Sequence, residues 1–116
     1  MEKKIDERTF EFALEIIDLY KYMIGNKEYI LSKQILRSGT SIGANVQESQ
    51  AAQSKADFIS KMSIASKEAR ETKYWLRLLD QSGYLDGYSR KDTIMTDIDA
   101  IINIITKIVK TSSQNK

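Results

Sequence analysis

The stretch Leu31-Ser32-Lys33-Gln34-Ile35-Leu36-Arg37-Ser38-Gly39-Thr40-Ser41-Ile42-Gly43-Ala44-Asn45-Val46-Gln47-Glu48 decides the fold. Leu31, Ile35, Ile42 and Val46 recur at helical spacing and form an apolar stripe. Gln34, Ser38, Ser41, Asn45, Glu48 and Ala52 run along one edge of it. Gly39 and Gly43 each cost roughly 1 kcal/mol relative to Ala inside a helix, so something must compensate. Close approach of a second helix over small side chains does so. A phosphate-cradling loop does not fit, because no Gly-Lys-Ser/Thr follows the glycines and no strand precedes them.

Outward from this helix, breakers and periodicity predict three more. The four run over about 6–24, 28–52, 54–82 and 89–112, followed by a polar tail at 111–116. Gly25-Asn26 stops the first helix, and Ser82-Gly83 stops the third. Ser54 and Ser89 stand at capping positions with Asp57 and Asp92 three residues on. The 116 residues contain no Pro and only five Gly, which suits long uninterrupted helices. Short connections between long helices imply antiparallel neighbours. The expected fold is all-α, a single domain spanning 1–116 as an antiparallel up-down-up-down four-helix bundle.

Composition removes much chemistry. The chain has no Cys and no His, so thiol nucleophiles, Ser-His-Asp triads and the usual zinc and iron sites cannot be built. Glu48, Glu68 and Glu71 could at most make a carboxylate-only cation site, and the reading takes no metal and no cofactor. The charged N-terminus lacks the apolar core of a signal peptide, and no apolar run is long enough to span a membrane. The expected location is cytoplasmic.

The helix faces carry more information. Helix one has two apolar stripes, one of Phe10, Ala13, Leu14, Ile17, Tyr20 and Ile24, the other of Phe12, Ile16, Leu19 and Met23. One stripe suffices for the helix's own core. The reading assigns Phe12, Ile16, Leu19 and Met23 to an oligomer interface. On helix three, Phe58, Met62, Ala65, Ala69, Thr72, Leu76 and Leu79 form a core stripe beside a mixed strip of Ile64, Glu68, Glu71, Trp75 and Leu78. Ile64, Trp75 and Leu78 join the expected interface, aromatic residues being enriched at such contacts. The competing reading has Trp75 cap the intrachain core. Arg37, Ser38, Ser41, Asn45, Glu48, Glu68 and Glu71 form an expected structural polar motif, with Arg37 the charged partner of Glu48.

The net charge is +2. The best basic cluster is Arg70, Lys73 and Arg77 on helix three, with Lys67 on the flank and Tyr74 beside it. Repeated around an oligomer, it would offer phosphates a polyanion-binding surface. Lys107 and Lys110, near the end of helix four, are read as complementing the helix dipole.

The stretch from Leu31 to Glu48 resembles the signature Q-x-x-R-S-x-x-S-I-x-x-N-x-x-E. Phe58, Ile64-Ala65-Ser66, Glu68, Glu71-Thr72, Tyr74-Trp75-Leu76 and Gly83-Tyr84-Leu85 resemble its second half. Together they are similar to the motifs of the bacterial four-helix-bundle family encoded by intervening sequences in large-subunit rRNA genes. Its relatives include the accessory variability determinants of diversity-generating retroelements. The resemblance implies a ring-like homopentamer without enzymatic activity. It also implies RNA or DNA as a partner and, in a retroelement setting, a reverse transcriptase. The functional expectation is a non-enzymatic oligomeric accessory or scaffold associated with nucleic acid. The alternative is a protein–protein scaffold with no nucleic-acid ligand.

Overall fold

A computed structural model describes residues 3–114. The elements are α1 (Ile5–Gly25), α2 (Leu31–Gln50), α3 (Lys55–Gln81) and α4 (Lys91–Gln114). No strand occurs among the described residues. Each element starts or stops for a local reason. Glu28 is buried and its carboxylate accepts from the backbone N–H groups of Ile30, Leu31 and Ser32, which starts α2 at Leu31 rather than at residue 28. Ser54 Oγ accepts from Asp57 N at 3.0 Å and caps α3 as expected. Gly83, at φ 88°, ends α3, with Tyr84 N donating to the Leu79 carbonyl and Gly83 N to that of Asp80. At the end of α1 the left-handed residue is Lys27, at φ 63°, and not Gly25. The polar segment expected as a tail continues α4 as far as Gln114, since it contains neither Gly nor Pro; residues 115 and 116 lie outside the described residues.

The cross-helix contacts fix the directions. Gly39 lies against Ile16 and Gly43 against Thr9, so α2 runs antiparallel to α1. Arg37 reaches Glu68 while Glu48 reaches Lys61, which reverses α3 against α2. Lys73 meets Asp99 and Asp80 meets Lys91, which reverses α4 against α3. α4 then closes back on α1. The molecule measures 48 × 26 × 22 Å.

The core corrects one expectation. Phe12, Ile16, Leu19 and Met23 are the α1 residues in the bundle's own core, each at most 1% exposed. They join Ile35, Ile42 and Val46 of α2, Met62, Leu76 and Leu79 of α3, and Ile94, Ile98, Ile101 and Ile105 of α4. A side chain with no surface left in one chain has none to bury in a subunit contact. The two α1 stripes therefore exchange roles, and the outward-facing one is Phe10, Leu14 and Ile17. Both stripes are similarly apolar, so periodicity alone could not say which faced α2. The small residues do: any Cβ on Gly39 would come within 2.6 Å of Ile16 Cγ1, so the Gly39 face of α2 and the Ile16 face of α1 are in direct contact.

Candidate interaction surfaces

The α2–α3 seam holds the polar motif. Ser38 Oγ and Thr72 Oγ1 are buried 2.9 Å apart, and Thr72 Oγ1 also lies 2.8 Å from the Glu68 carbonyl oxygen. Two hydroxyl protons thus serve one side-chain pair and one carbonyl. Outside this pair, Arg37 bridges two carboxylates, Glu68 at 3.2 Å and Glu71 more closely. Trp75 Nε1 donates to the same Glu71 oxygen at 2.9 Å. The four residues form one chain of charge-assisted bonds along α3. Trp75 packs partly buried against the core and stacks edgewise on Tyr74 at 5.2 Å, so the core-capping reading describes its place within the chain.

Arg37 is not the partner of Glu48. Eleven residues along one helix separate them by about 16 Å, whereas antiparallel α3 lays Glu68 and Glu71 beside Arg37. Glu48 is 58% exposed on its side chain and meets Lys61 at 3.5 Å. Asn45 Nδ2 donates to the Ser41 carbonyl at 2.9 Å and Ser41 Oγ to that of Arg37 at 2.6 Å, both bonds local to α2.

Apart from Tyr29, Ile30 and Tyr84 in the connections, the exposed large hydrophobic residues lie on two helices that are not neighbours. On α1, Phe10 is 61% exposed, Leu14 54% and Ile17 37%. Beside them a shallow groove of about 190 Å³ runs between α1 and α2, lined by Phe10, Ala13, Thr40, Gly43 and Ala44 among others. On α3, Ile64 and Leu78 are exposed, together with Tyr74.

The basic residues of α3 are divided between two environments. Lys73 pairs with Asp99 at 2.7 Å, and Arg70 donates to Thr106 Oγ1 at 3.2 Å. Lys67, Arg70 and Arg77 are exposed. The expected cluster is therefore open on α3 except where Lys73 is held by a carboxylate.

One site was not foreseen from the sequence. Between α1 and α4 lies an open cleft of about 800 Å³, lined by Arg8, Glu11, Glu15, Arg90 and Asp97 over Phe12 and Ile101. The Glu15 side chain is only 14% exposed and accepts from Arg90 at 2.9 Å. Its carboxyl is pushed up to about 7, chiefly by burial and then by the hydrogen-bonded carboxyl of Asp97, with Arg90 opposing. Alongside, the Tyr88 hydroxyl donates to Asp18 at 2.8 Å, and its pKa is raised by burial first and by Asp18 second. No cluster of three metal-ligating side chains occurs among the described residues. Nor is any helix among them long and apolar enough to cross a membrane.

The whole arrangement can be set beside known proteins. The model of the 23S rRNA-intervening sequence protein family matches residues 1–107. The chain belongs to that family. Within its fold, a solved structure of a Bacteroides thetaiotaomicron protein of unknown function, from the S23 ribosomal protein family, superposes with a TM-score of 0.88 and 46% identity. The alignment covers 92% of this chain and 99% of the Bacteroides protein. No curated protein matches. In this chain Arg37, Ser38, Glu68, Glu71 and Trp75 tie α2 to α3.

Proposed function

We propose that this family member is a non-enzymatic scaffold that assembles as a ring of identical copies, a homopentamer, and presents basic surface to nucleic acid. The observation that carries the assembly is the outward stripe of Phe10, Leu14 and Ile17 on α1, set against a second, unlike apolar strip of Ile64 and Leu78 on α3. Two different patches on non-neighbouring helices suit a head-to-tail contact, and head-to-tail contacts form a ring when the rotation between copies closes. Five is the number that the resemblance implies. The absence of His and Cys from the sequence supports a non-enzymatic role. The exposed Lys67, Arg70 and Arg77 support phosphate contact, multiplied by each copy in the ring. The pairing of Lys73 with Asp99 favours the second reading, a scaffold without nucleic acid, because it removes one cation from the cluster.

The test is assembly. Light scattering of the native protein at micromolar concentration should give a multiple of the 13.3 kDa chain. Phe10→Glu with Leu14→Glu should give a monomer of unchanged helicity, because neither side chain supports the core. A native protein that runs as a clean monomer would overturn the reading.

A further inference from the structure

The antiparallel packing of α3 and α4 sorts their charges into two halves. In one half, every cross-helix meeting of charged residues is a pair: Lys73 with Asp99 at 2.7 Å and Lys91 with Asp80 at 2.8 Å. The other half begins at the contact of Arg70 with Thr106. From there α3 runs back to Lys67 and α4 runs on to Lys110, three and four residues away. Because the helices are antiparallel, both lysines lie about 4.5–6 Å beyond the contact toward the same end of the bundle. Lys110 is one turn from Thr106 and Lys67 one turn from Arg70, so each keeps to the side its neighbour marks. Lys107 adds a further cation on the exposed surface of α4. All four basic residues are exposed.

This end lacks acidic partners from its own two helices. Residues 100–116 contain no Asp or Glu, and neither do residues 58–67. The acids nearest Lys67 on α3, Glu68 and Glu71, are both held by Arg37 of α2. The helix dipole does not account for Lys107 and Lys110 either. α4 continues to Gln114, its last turn holds no basic residue, and the dipole's influence fades within one turn. Among the described residues, no ion pair joins Lys67, Arg70, Lys107 or Lys110 to a carboxylate of α3 or α4.

We propose that Lys67, Arg70, Lys107 and Lys110 form the phosphate-binding surface of this protein, contacting an RNA through its backbone. The site rests on the nucleic-acid reading above and relocates it: Lys73 and Arg77 lie toward the half where α4 supplies Asp92, Asp97 and Asp99, and contribute little. No side chain here is arranged to read base edges, so binding is independent of sequence and strongly salt-dependent.

The experiment is a fluorescence titration of the native protein with a labelled single-stranded RNA oligonucleotide of mixed sequence, repeated over a series of salt concentrations. The fourfold variant Lys67→Gln, Arg70→Gln, Lys107→Gln, Lys110→Gln should bind at least about tenfold more weakly at low salt. The slope of log affinity against log salt should become shallower by about 3 for one protomer's worth of contacts. Lys73→Gln with Arg77→Gln should leave both nearly as in the native protein. Circular dichroism and light scattering guard against loss of fold or assembly, and Lys107→Gln with Lys110→Gln alone should give an intermediate effect. If the native protein binds but the fourfold variant keeps its affinity and slope, this surface is refuted while the nucleic-acid reading stands. If the native protein does not bind this RNA even at low salt, the proposal is refuted, and if it also fails to bind a DNA oligonucleotide of the same sequence, the nucleic-acid reading falls with it.

Discussion

Helix α1 is held on its two sides by opposite means. Toward α2 the backbones come close: a Cβ on Gly43 would sit 3.3 Å from the Thr9 carbonyl oxygen, and Gly39 leaves room only for Ile16. Toward α4 the helices stand apart over an open cleft spanned by charged side chains, with Arg90 reaching Glu15 at 2.9 Å and Tyr88 reaching Asp18 at 2.8 Å. The first side is fixed by the absence of side chains and the second by their length. A seam made of close contact should be intolerant of added volume and indifferent to pH. A seam made of long ionisable groups should behave the other way round.

The largest expected effect is on the close seam. Gly39→Leu should destabilise the fold by about 3 kcal/mol in chemical denaturation, because the new side chain overlaps Ile16 in a packed core. Gly43→Leu should cost about 1–3 kcal/mol against the α1 backbone. The pair is directly coupled, so Gly39→Ala with Ile16→Ala should cost less than the two single changes added together. Equal melting temperatures for native protein and Gly39→Leu would show that the backbones do not meet.

The next effect belongs to the cleft. Glu15 holds its proton up to about pH 7 in the folded chain, against an ordinary value of 4.5. Between these values the folded state binds more protons than the unfolded one, so this group's stabilising contribution falls as pH rises and is lost above about pH 7. Glu15→Gln, which stays neutral, should therefore gain stability relative to the native protein across that window, by about 1–2 kcal/mol once solvent access to the cleft is allowed for. A difference that stays flat from pH 4.5 to 7 would mean that Glu15 titrates in the folded chain as it does in the unfolded one.

How much of this the sequence disclosed follows from the same contrast. Close packing is written in residue type: Gly39 and Gly43 in a helix announce a neighbour, and the four helices follow from their breakers. The cleft is written in no motif. Glu15 and Asp97 are ordinary surface residues until the chain brings α4 round to α1, and no spacing within one helix records a partner some eighty positions away. The error over the α1 stripes has the same origin, since two equally apolar faces differ only in what they meet. The sequence pattern marks Arg37 as the cation of a polar motif that includes Glu68 and Glu71, but the spacing within one helix offers Glu48 as its partner. The basic cluster on α3 was read without the acids that α4 lays beside part of it.

The smallest expected effect checks that correction at the α2–α3 seam. Glu48→Ala should change stability by less than about 0.5 kcal/mol, because its contact with Lys61 is solvent-exposed and long. A loss comparable to that of Gly43→Leu would put Glu48 back among the structural residues.

The bonds across the cleft also set an order of events. Tyr88–Asp18 and Arg90–Glu15 join positions 70 and 75 residues apart, whereas the turns between α1 and α2 and between α2 and α3 bring their helices together over a few residues. Loop closure disfavours the distant pairs until the intervening helices have docked. The α1–α4 seam is therefore expected to close last, after the three seams between helices adjacent in the chain. Substitutions at Tyr88 and Arg90 should speed unfolding while leaving the refolding rate nearly untouched, which makes the cleft the latch that governs how long a folded copy lasts.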